Sequence, residues 1–380
     1  MRECKRQGCR VFLLTAEKLR AADWPRESLD DVFYIPGELP IPEIVKAVTY
    51  LARDKKIDRI VGLDEFDMET AATLREHMRI PGMGLTTMRY FRDKLAMRIK
   101  ALEHEIRVPD FIPALNHDDI RYYLDHVSGP WVLKPRSEAS AIGIKLIDVP
   151  DALWPILDSL GDQQSSFVLE KFIPGDVYHA DSVVSEREVV FSSVSRYGQP
   201  PMAVAQKGGI FTTYLLPGES EEATALRDLN RELIDALGLV RGVSHAEFIR
   251  ATSDGHFYFL ECAARVGGAY ISEIVEIATG INLWREWARI EIAGGREPYR
   301  LPAVRSDYAG LILSLARQED PDTSAYNDPE IALRLKRRYH AGLVLRSSDA
   351  ARIQALLEDY SRRFAEEFLA IEPPGTKPAA

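Results

Sequence analysis

Two acidic side chains, Glu247 and Glu261, lie in a segment whose pattern predicts a β-hairpin. Strand-like runs at residues 245–252 and 256–262 flank the turn signal Ser253-Asp254-Gly255. A three-residue loop with its glycine in the left-handed region places the two carboxylates directly opposite each other on one face. Like charges in that position destabilise a strand pair. A hard divalent cation between them reverses the sign, because it takes carboxylate oxygens as ligands.

The strand register decides whether this metal site forms. A two-residue loop of Asp254-Gly255 pairs Thr252 with Phe257 and sends the carboxylates to opposite faces, where they are merely solvated. Arg265 follows at a turn marked by Gly267-Gly268, where its guanidinium is placed to meet a phosphate. Two carboxylates, a divalent metal and an arginine together indicate a site for nucleotide phosphates.

Composition narrows the class of protein. The chain has 380 residues, 46% of them hydrophobic and 28% charged, which is ordinary for a globular protein of two or three domains. A net charge of −10 argues against a general nucleic-acid binder, which needs a basic surface. Three cysteines without zinc or disulfide spacing, and the lack of a membrane-length apolar run or signal core, predict a cytoplasmic protein without a membrane partner.

The first 88 residues alternate strand and helix signals, which is typical of a parallel α/β sheet. We predict strands at 11–15, 32–35 and 59–63 and helices at 42–55 and 69–78. A doubly wound half-domain normally begins with a strand ahead of its first helix, and that strand is missing here. Either the sequence starts late or it is a natural variant without the strand.

Residues 89–294 are predicted as a second domain and residues 295–370 as a C-terminal subdomain, followed by a flexible tail at 371–380. A long helix is predicted at 86–104. Further strands are predicted at 131–134, 142–147, 167–171, 178–184, 188–195, 308–315 and 340–345, and further helices at 151–160, 221–237, 271–278, 283–293 and 349–369.

The order of these residues resembles the ATP-grasp superfamily from about Arg92 to Gly268. The resemblance implies a mixed α/β and α+β protein with the ATP-grasp fold. It has a partial Rossmann-like domain at its N-terminus, a lid at about 110–169 and a C-terminal α+β subdomain. Members hold ATP between two α+β subdomains, and most make an acyl phosphate that an amine or other nucleophile attacks. The implied cofactors are ATP and Mg²⁺, with Mn²⁺ as a substitute.

The resemblance assigns the ATP phosphates to two lysines and a loop. Lys94 matches the family lysine that reaches the phosphates, and Lys134, at the end of a lid strand, matches the second one. The loop at 136–141 stands in the place of the flexible phosphate-covering loop, with Ser137 and Ser140 as hydrogen-bond donors. The family loop is rich in glycine and this one is not, which is a departure from the pattern.

The adenosine part is assigned to the segment Glu170-Lys171-Phe172-Ile173, which resembles the interdomain hinge. In the family the hinge backbone pairs with the adenine edge. By spacing, Lys171 C=O accepts from N6 and Ile173 N–H donates to N1. Tyr178 and His179 are the candidates for a ribose contact.

Glu247 and Glu261 match the two magnesium carboxylates of the family, and Arg265 matches the arginine of its Glu-x-Asn-x-Arg pattern. By the same resemblance, Arg265 and Lys134 stabilise the charge of the transferring phosphoryl group. Ala263 replaces the family asparagine and removes one oxygen ligand. The resulting Glu-x-Ala-Ala-Arg is similar to the form found in L-amino-acid ligases.

Four residues are candidates for the substrate side of the site. Lys207 either contacts an acyl phosphate or γ-phosphate or is an exposed loop lysine. His245 shares the face of Glu247 and either orients it or the substrate, or is a hydrogen-bonded structural histidine. Gly267 and Gly268 form the turn beside Arg265.

The sequence thus predicts an ADP-forming, ATP-dependent ligase whose partners are a small carboxylate and an amine, such as an amino acid. Members are often dimers, so a homodimer is one expected assembly. A bicarbonate-activating carboxylase or carbamoyl-phosphate-type enzyme shares the same acids. A non-catalytic ATP-binding module is suggested by Ala263 and the glycine-poor loop.

Overall fold

The described part of the chain, residues 1–139 and 141–371 of a computed structural model, forms three sheets with helices packed on them. The helices are α1 (Arg2–Arg6), α2 (Ile41–Leu51), α3 (Met68–Met78), α4 (Leu85–Met88), α5 (Lys94–Glu103), α6 (His117–His126), α7 (Trp154–Leu160), α8 (Pro201–Lys207), α9 (Glu221–Leu237), α10 (Ile271–Thr279), α11 (Leu283–Ala293) and α12 (Ala350–Glu367). The strands are β1 (Phe12–Ala16), β2 (Asp31–Ile35), β3 (Phe111–Pro113), β4 (Trp131–Pro135), β5 (Lys145–Ile147), β6 (Phe167–Lys171), β7 (Gly175–Ser185), β8 (Glu188–Tyr197), β9 (Phe211–Leu215), β10 (Gly242–Ala251), β11 (Phe257–Ala263), β12 (Tyr308–Leu315), β13 (Ile331–Arg334) and β14 (His340–Ser347).

The two larger sheets divide the candidate site between them. An antiparallel four-stranded sheet in the order β3-β6-β4-β5 occupies the stretch predicted as the lid. An antiparallel eight-stranded sheet in the order β11-β10-β7-β8-β9-β12-β14-β13 carries the predicted hairpin at one edge. The hairpin acids and the lid lysine therefore come from different sheets.

The N-terminal unit is only partly as predicted. The strands at 11–15 and 32–35 are confirmed as the parallel pair β1 and β2. The prediction of a strand at 59–63 is wrong, because this segment joins no ladder. Its Ile60 C=O accepts instead from Arg75 Nε at 2.7 Å, so a side chain of α3 occupies a backbone group that a sheet would use.

The long helix predicted at 86–104 is broken. It consists of α4, a 3₁₀ turn at Arg89–Phe91 and α5. Asp93 causes the break by capping α5, because its carboxylate accepts from the N–H groups of Leu95 at 3.0 Å and Ala96 at 3.4 Å. The prediction treated Asp93 as a helical residue. The cap makes Lys94 the first residue of α5 and turns it toward the site.

The eight-stranded sheet is covered on both faces, which follows from the alternation of side chains along β7. Ala180 and Val184 belong to an apolar cluster with α5 and α9, whereas Val183 belongs to a cluster with α10 and α11. His179 and Asp181, by the same alternation, share the second face with Val183. Polar side chains therefore continue the α10–α11 face of the sheet toward the hairpin.

The stretch 295–370 adds β12, β13 and β14 to the eight-stranded sheet through the pairing of β12 with β9. Helix α12 packs on these strands. Five elements escaped the prediction, namely α6, α8, β3, β9 and β13. The domain limits stay a prediction, and the predicted tail lies outside the described residues except for Ile371. No helix in the described ranges has the length and apolarity to cross a membrane.

The cap on α5 gives the first testable prediction. Asp93→Ala removes the cap and the ion pair with Arg136, and we expect it to lower the free energy of unfolding by about 1–2 kcal/mol. Asp93→Asn keeps a capping oxygen, so it should cost clearly less. Urea unfolding followed by circular dichroism measures both. Equal losses in the two variants would contradict the capping role.

Candidate active site

The hairpin places the two carboxylates as the sequence predicts, and Glu247 is paired directly with Glu261. The route to that pairing differs from the prediction. Gly255 has a φ of 72°, as predicted, but Ala251 N–H donates to His256 C=O at 2.9 Å, so the loop is longer than three residues.

A β-bulge brings the side chain of Glu261 back to the same face of the sheet as Glu247. Phe248 pairs with Phe259, and the next pair, one step farther from the turn, is Glu247 with Glu261. Leu260 is therefore an extra residue on β11. Without the bulge, Glu247 would lie opposite Leu260, and Glu261 would point to the other face of the sheet. The convergence of the two acids depends on this one residue.

Glu261 faces a lysine from α5. Lys94 Nζ lies 3.0 Å from Glu261 Oε2 and also donates to Glu138 C=O at 2.6 Å. Burial by itself would raise the pKa of Glu261, but the positive charges of Lys94, Lys134 and His245 outweigh it and lower the pKa to about 2. Glu261 is therefore an anion at neutral pH, as a metal ligand must be.

Glu247 is oriented by two donors. Tyr197 Oη donates to Glu247 Oε1 at 2.8 Å, and His245 Nε2 lies 3.4 Å from the same oxygen. The other ring nitrogen of His245 lies 2.9 Å from Asp181 Oδ1. Burial would lower the pKa of His245, but the Asp181 carboxylate raises it to about 10, so the ring is an imidazolium that donates to both acids at neutral pH.

His179 completes this buried network. Its Nδ1 lies 2.6 Å from Asp181 Oδ2, and its Nε2 lies 2.8 Å from Thr213 Oγ1. The ligand atoms of His179, Asp181 and His245 lie within 4.8 Å of one another, which also suits a metal. Hydrogen bonds account for the ring nitrogens of both histidines, so we interpret the group as support for Glu247.

Lys134 lies at the end of lid strand β4 with its ammonium group buried. Its Nζ is 2.5 Å from Glu170 Oε2, and Arg98 Nε from α5 lies 2.9 Å from Glu170 Oε1. Burial lowers the pKa of Lys134 to about 8, although the Glu170 carboxylate acts in the opposite direction. Arg98 was not identified from the sequence, since a single arginine on a helix gives no signal of what it meets.

Arg265 is held by an acid from the N-terminal unit. Glu65 Oε2 accepts from Arg265 Nη2 at 2.5 Å and from Nε at 3.2 Å, while Glu65 Oε1 accepts from Arg92 Nη1 at 2.8 Å. The prediction missed Glu65 and Arg92. The one available signal was an acidic pair, Asp64-Glu65, directly after an apolar run.

The two glycines after Arg265 differ in whether a side chain would fit at their positions. A Cβ on Gly267 would lie 2.9 Å from both Asp181 Oδ1 and His245 Nδ1, so a larger residue would collide with the network behind Glu247. A Cβ on Gly268 would meet no atom within 4 Å. Gly267 thus permits a close approach of backbone to the site.

Backbone carbonyl groups of the predicted phosphate loop accept hydrogen bonds from Lys94 and Arg92. Lys94 N–H donates to Arg136 C=O at 2.8 Å, and Arg92 Nη2 donates to Ser137 C=O at 2.5 Å. With Glu138 C=O on Lys94 Nζ, the loop presents three carbonyl groups to this cluster. Ser140 lies outside the described residues.

The hinge is built as a strand end. Lys171 N–H donates to Asp110 C=O at 2.8 Å and Phe172 N–H to Pro130 C=O at 2.9 Å. Among the described residues none accepts from Ile173 N–H, so this donor is free for the predicted adenine contact.

Two predicted residues, Tyr178 and His179, are not brought to the exposed part of the site. Tyr178 is 1% exposed and its hydroxyl donates to Glu222 at 3.3 Å, while His179 is fully buried in the network described above. The ribose contact of either residue stays a prediction. Lys207 ends α8, but its side chain is outside the described part of the structure.

The chain is similar to known proteins in part of its sequence and in its fold. No family model matches the sequence. A curated relative, the L-arginine-specific L-amino acid ligase of Bacillus subtilis, is 28% identical over 269 residues, which are 69% of this chain and 64% of that protein. The chain therefore spans less than two thirds of the length of this relative.

Solved structures match nearly the whole chain. An L-amino acid ligase from Bacillus licheniformis superposes with a TM-score of 0.75 at 20% identity, covering 97% of this chain and 94% of that one. The N5-carboxyaminoimidazole ribonucleotide synthetase of Thermus thermophilus superposes with a TM-score of 0.72 at 18% identity, covering 98% and 95%. At these identities the match establishes the fold.

The buried ammonium of Lys134 gives a pH prediction. Its pKa is about 8 in the folded chain and 10.5 without the protein environment, so between these pH values the unfolded chain binds more protons and stability rises with pH. Relative to Lys134→Met, the parent should gain at most about 1.4 kcal/mol of unfolding free energy per pH unit in this window. Urea unfolding at several pH values measures the difference. Parallel profiles of the two proteins would contradict the buried, charged lysine.

Proposed function

From the ATP-grasp fold of this chain, we propose that it is an ADP-forming ligase that uses ATP to activate a substrate carboxylate for attack by an amine. One observation carries the proposal. Glu247 and Glu261 oppose each other on adjacent strands, Lys94 forms an ion pair with Glu261, and the charges of Lys134 and Arg265 lie near enough to act on Glu261. Such a set of charges suits a metal-bound triphosphate.

The donor set fits magnesium, with manganese as a substitute. Two opposed carboxylates supply hard oxygen ligands, and a cation between them offsets their mutual repulsion. When bound, the ion neutralises phosphate charge during phosphoryl transfer. Ala263 supplies no ligand, so we assign the protein part of the coordination to Glu247 and Glu261 alone.

The cations of the site bind and orient the phosphates in this proposal. Lys94 exchanges the Glu138 C=O for a phosphate oxygen. Lys134 comes from the lid and meets the phosphates from the other side. Positively charged groups fixed before the reaction stabilise the developing charge without reorganising, which commonly supplies most of the rate.

The chemistry then takes two steps. An oxygen of the substrate carboxylate attacks the γ-phosphorus, the bond to the β-phosphate oxygen breaks and ADP leaves. The nitrogen of the amine attacks the resulting acyl phosphate, an amide bond forms and inorganic phosphate leaves with a proton lost from the nitrogen. Arg265, positioned by Glu65, lies beside the negative charge in both steps. The closed lid excludes water that would hydrolyse the acyl phosphate.

We propose amino acids or similar small molecules as both substrates. The name of the Bacillus subtilis relative, an L-amino acid ligase, supports this class, as does the Glu-x-Ala-Ala-Arg form at 261–265. We also propose that the chain acts in the cytoplasm on dissolved substrates. We propose that its domains have the limits given above and that two copies form a homodimer.

A phosphate-release screen tests the reaction class. The purified chain is incubated with ATP, magnesium and paired pools of carboxylates and amines, and products are identified by mass spectrometry. Release that needs both pools and yields an amide supports the ligase. Bicarbonate-dependent release without an amine would instead indicate a carboxylase, and ATP binding without release under any condition would indicate a non-catalytic module.

The metal carboxylates give a direct mutational prediction. Glu261→Gln and Glu247→Gln should each reduce ATP turnover by about 100-fold or more, because the amide cannot replace the charged ligand. Glu232→Gln, which changes an exposed acid on α9, is the matched control and should retain parental turnover. Thermal melting checks that all three variants fold. Parental turnover in Glu261→Gln would refute the metal assignment.

A further inference from the structure

One buried carboxylate, that of Glu170, is shared by two cations. Lys134 Nζ lies 2.5 Å from Glu170 Oε2. Arg98 Nε lies 2.9 Å from Oε1, and Arg98 Nη2 donates to Oε2 at 3.3 Å. The side chain of Glu170 is 3% exposed and that of Arg98 is fully buried. The group therefore holds more positive than negative charge in an environment where water does little to screen it.

The two cations come from different parts of the molecule. Lys134 on β4 and Glu170 on β6 are diagonal neighbours in the lid sheet, because Lys134 pairs with Val168, two residues before Glu170. Arg98 lies on α5, outside that sheet, one helical turn after Lys94. Helix α5 thus directs one cation to Glu261 and the next to the lid carboxylate.

This arrangement matters when Lys134 moves. If Lys134 is to bind a phosphate, it must leave Glu170, and a buried carboxylate without a partner is strongly destabilised. Arg98 stays in contact with Glu170 through two nitrogens, so the carboxylate keeps a countercharge after the lysine has left. Without Arg98, Glu170 and Lys134 would form an exclusive pair that opposes this transfer.

We propose that Arg98 is a positioning residue that neutralises Glu170 and thereby releases Lys134 to the nucleotide phosphates. The inference rests on the proposed function, because it takes Lys134 as a phosphate ligand. It differs from a structural role, in which Arg98 would only tie α5 to the lid. A structural tie would be weakened further by a second change at Glu170, whereas release of Lys134 would be restored by it.

Calorimetric titration with ATP and magnesium separates the two roles. Arg98→Met should bind ATP about tenfold or more weakly than the parent, approaching Lys134→Met, because the lysine stays on Glu170. Arg98→Met/Glu170→Gln should bind several-fold more tightly than Arg98→Met, because the neutral amide that replaces the carboxylate no longer retains the lysine. Arg98→Lys, which keeps the charge, should stay within about threefold of the parent.

Controls keep the test decisive. Thermal melting identifies variants that fail to fold, and Arg98→Gln replaces Arg98→Met with the same expected loss of about tenfold if the methionine variant does not fold. Parental affinity in the neutral variant, or a double variant no tighter than the single one, would overturn the inference.

The lysine variant separates failure of this inference from failure of the proposed function. If Lys134→Met binds ATP weakly while Arg98→Met binds normally, only the role of Arg98 is refuted. If the parent does not bind ATP, or Lys134→Met binds as tightly as the parent, the phosphate assignment of Lys134 fails and the role of Arg98 fails with it.

Discussion

The whole site depends on an unfavourable contact, the direct opposition of the Glu247 and Glu261 carboxylates across a strand pair. Cross-strand like charges destabilise a hairpin, so a protein keeps them only where other charges balance them. Here Lys94 balances Glu261 and the His245 imidazolium balances Glu247. The geometry thus holds two carboxylates on one face, and we propose them as the ligands of the metal.

Two further carboxylates near the site each bind two cations. Glu170 is shared by two cations, and so is Glu65, which binds both Arg92 and Arg265. Each shared carboxylate lets its cations keep a fixed position while leaving positive charge available to an anionic ligand. In the proposed function, this positive charge attracts the triphosphate.

The features of the site that depend on neighbouring residues were predictable from the sequence. The facing of Glu247 and Glu261 was predictable from strand alternation and one glycine turn, although the real loop is longer and a bulge at Leu260 compensates for it. Two errors with opposite effects on the register thus cancelled. Lys94 was predicted as a site residue from its motif, but the cap that places it at the start of α5 was not predicted.

The partners of the site residues were not predictable in the same way. Glu65, Arg98 and Asp181 act through contacts with residues 200, 72 and 64 positions away along the chain. No local period or turn signal encodes such contacts, because they arise only when separate sheets and helices pack together. The segment at 59–63 has the composition of a strand but pairs with no other strand among the described residues.

A crystal of the chain grown with manganese and ATP, measured at the manganese absorption edge, tests the central claim most directly. The account predicts an anomalous peak about 2 Å from a carboxylate oxygen of both Glu247 and Glu261, beside the phosphates. A nucleotide bound with its manganese in contact with neither carboxylate, or with only one of them, would contradict it.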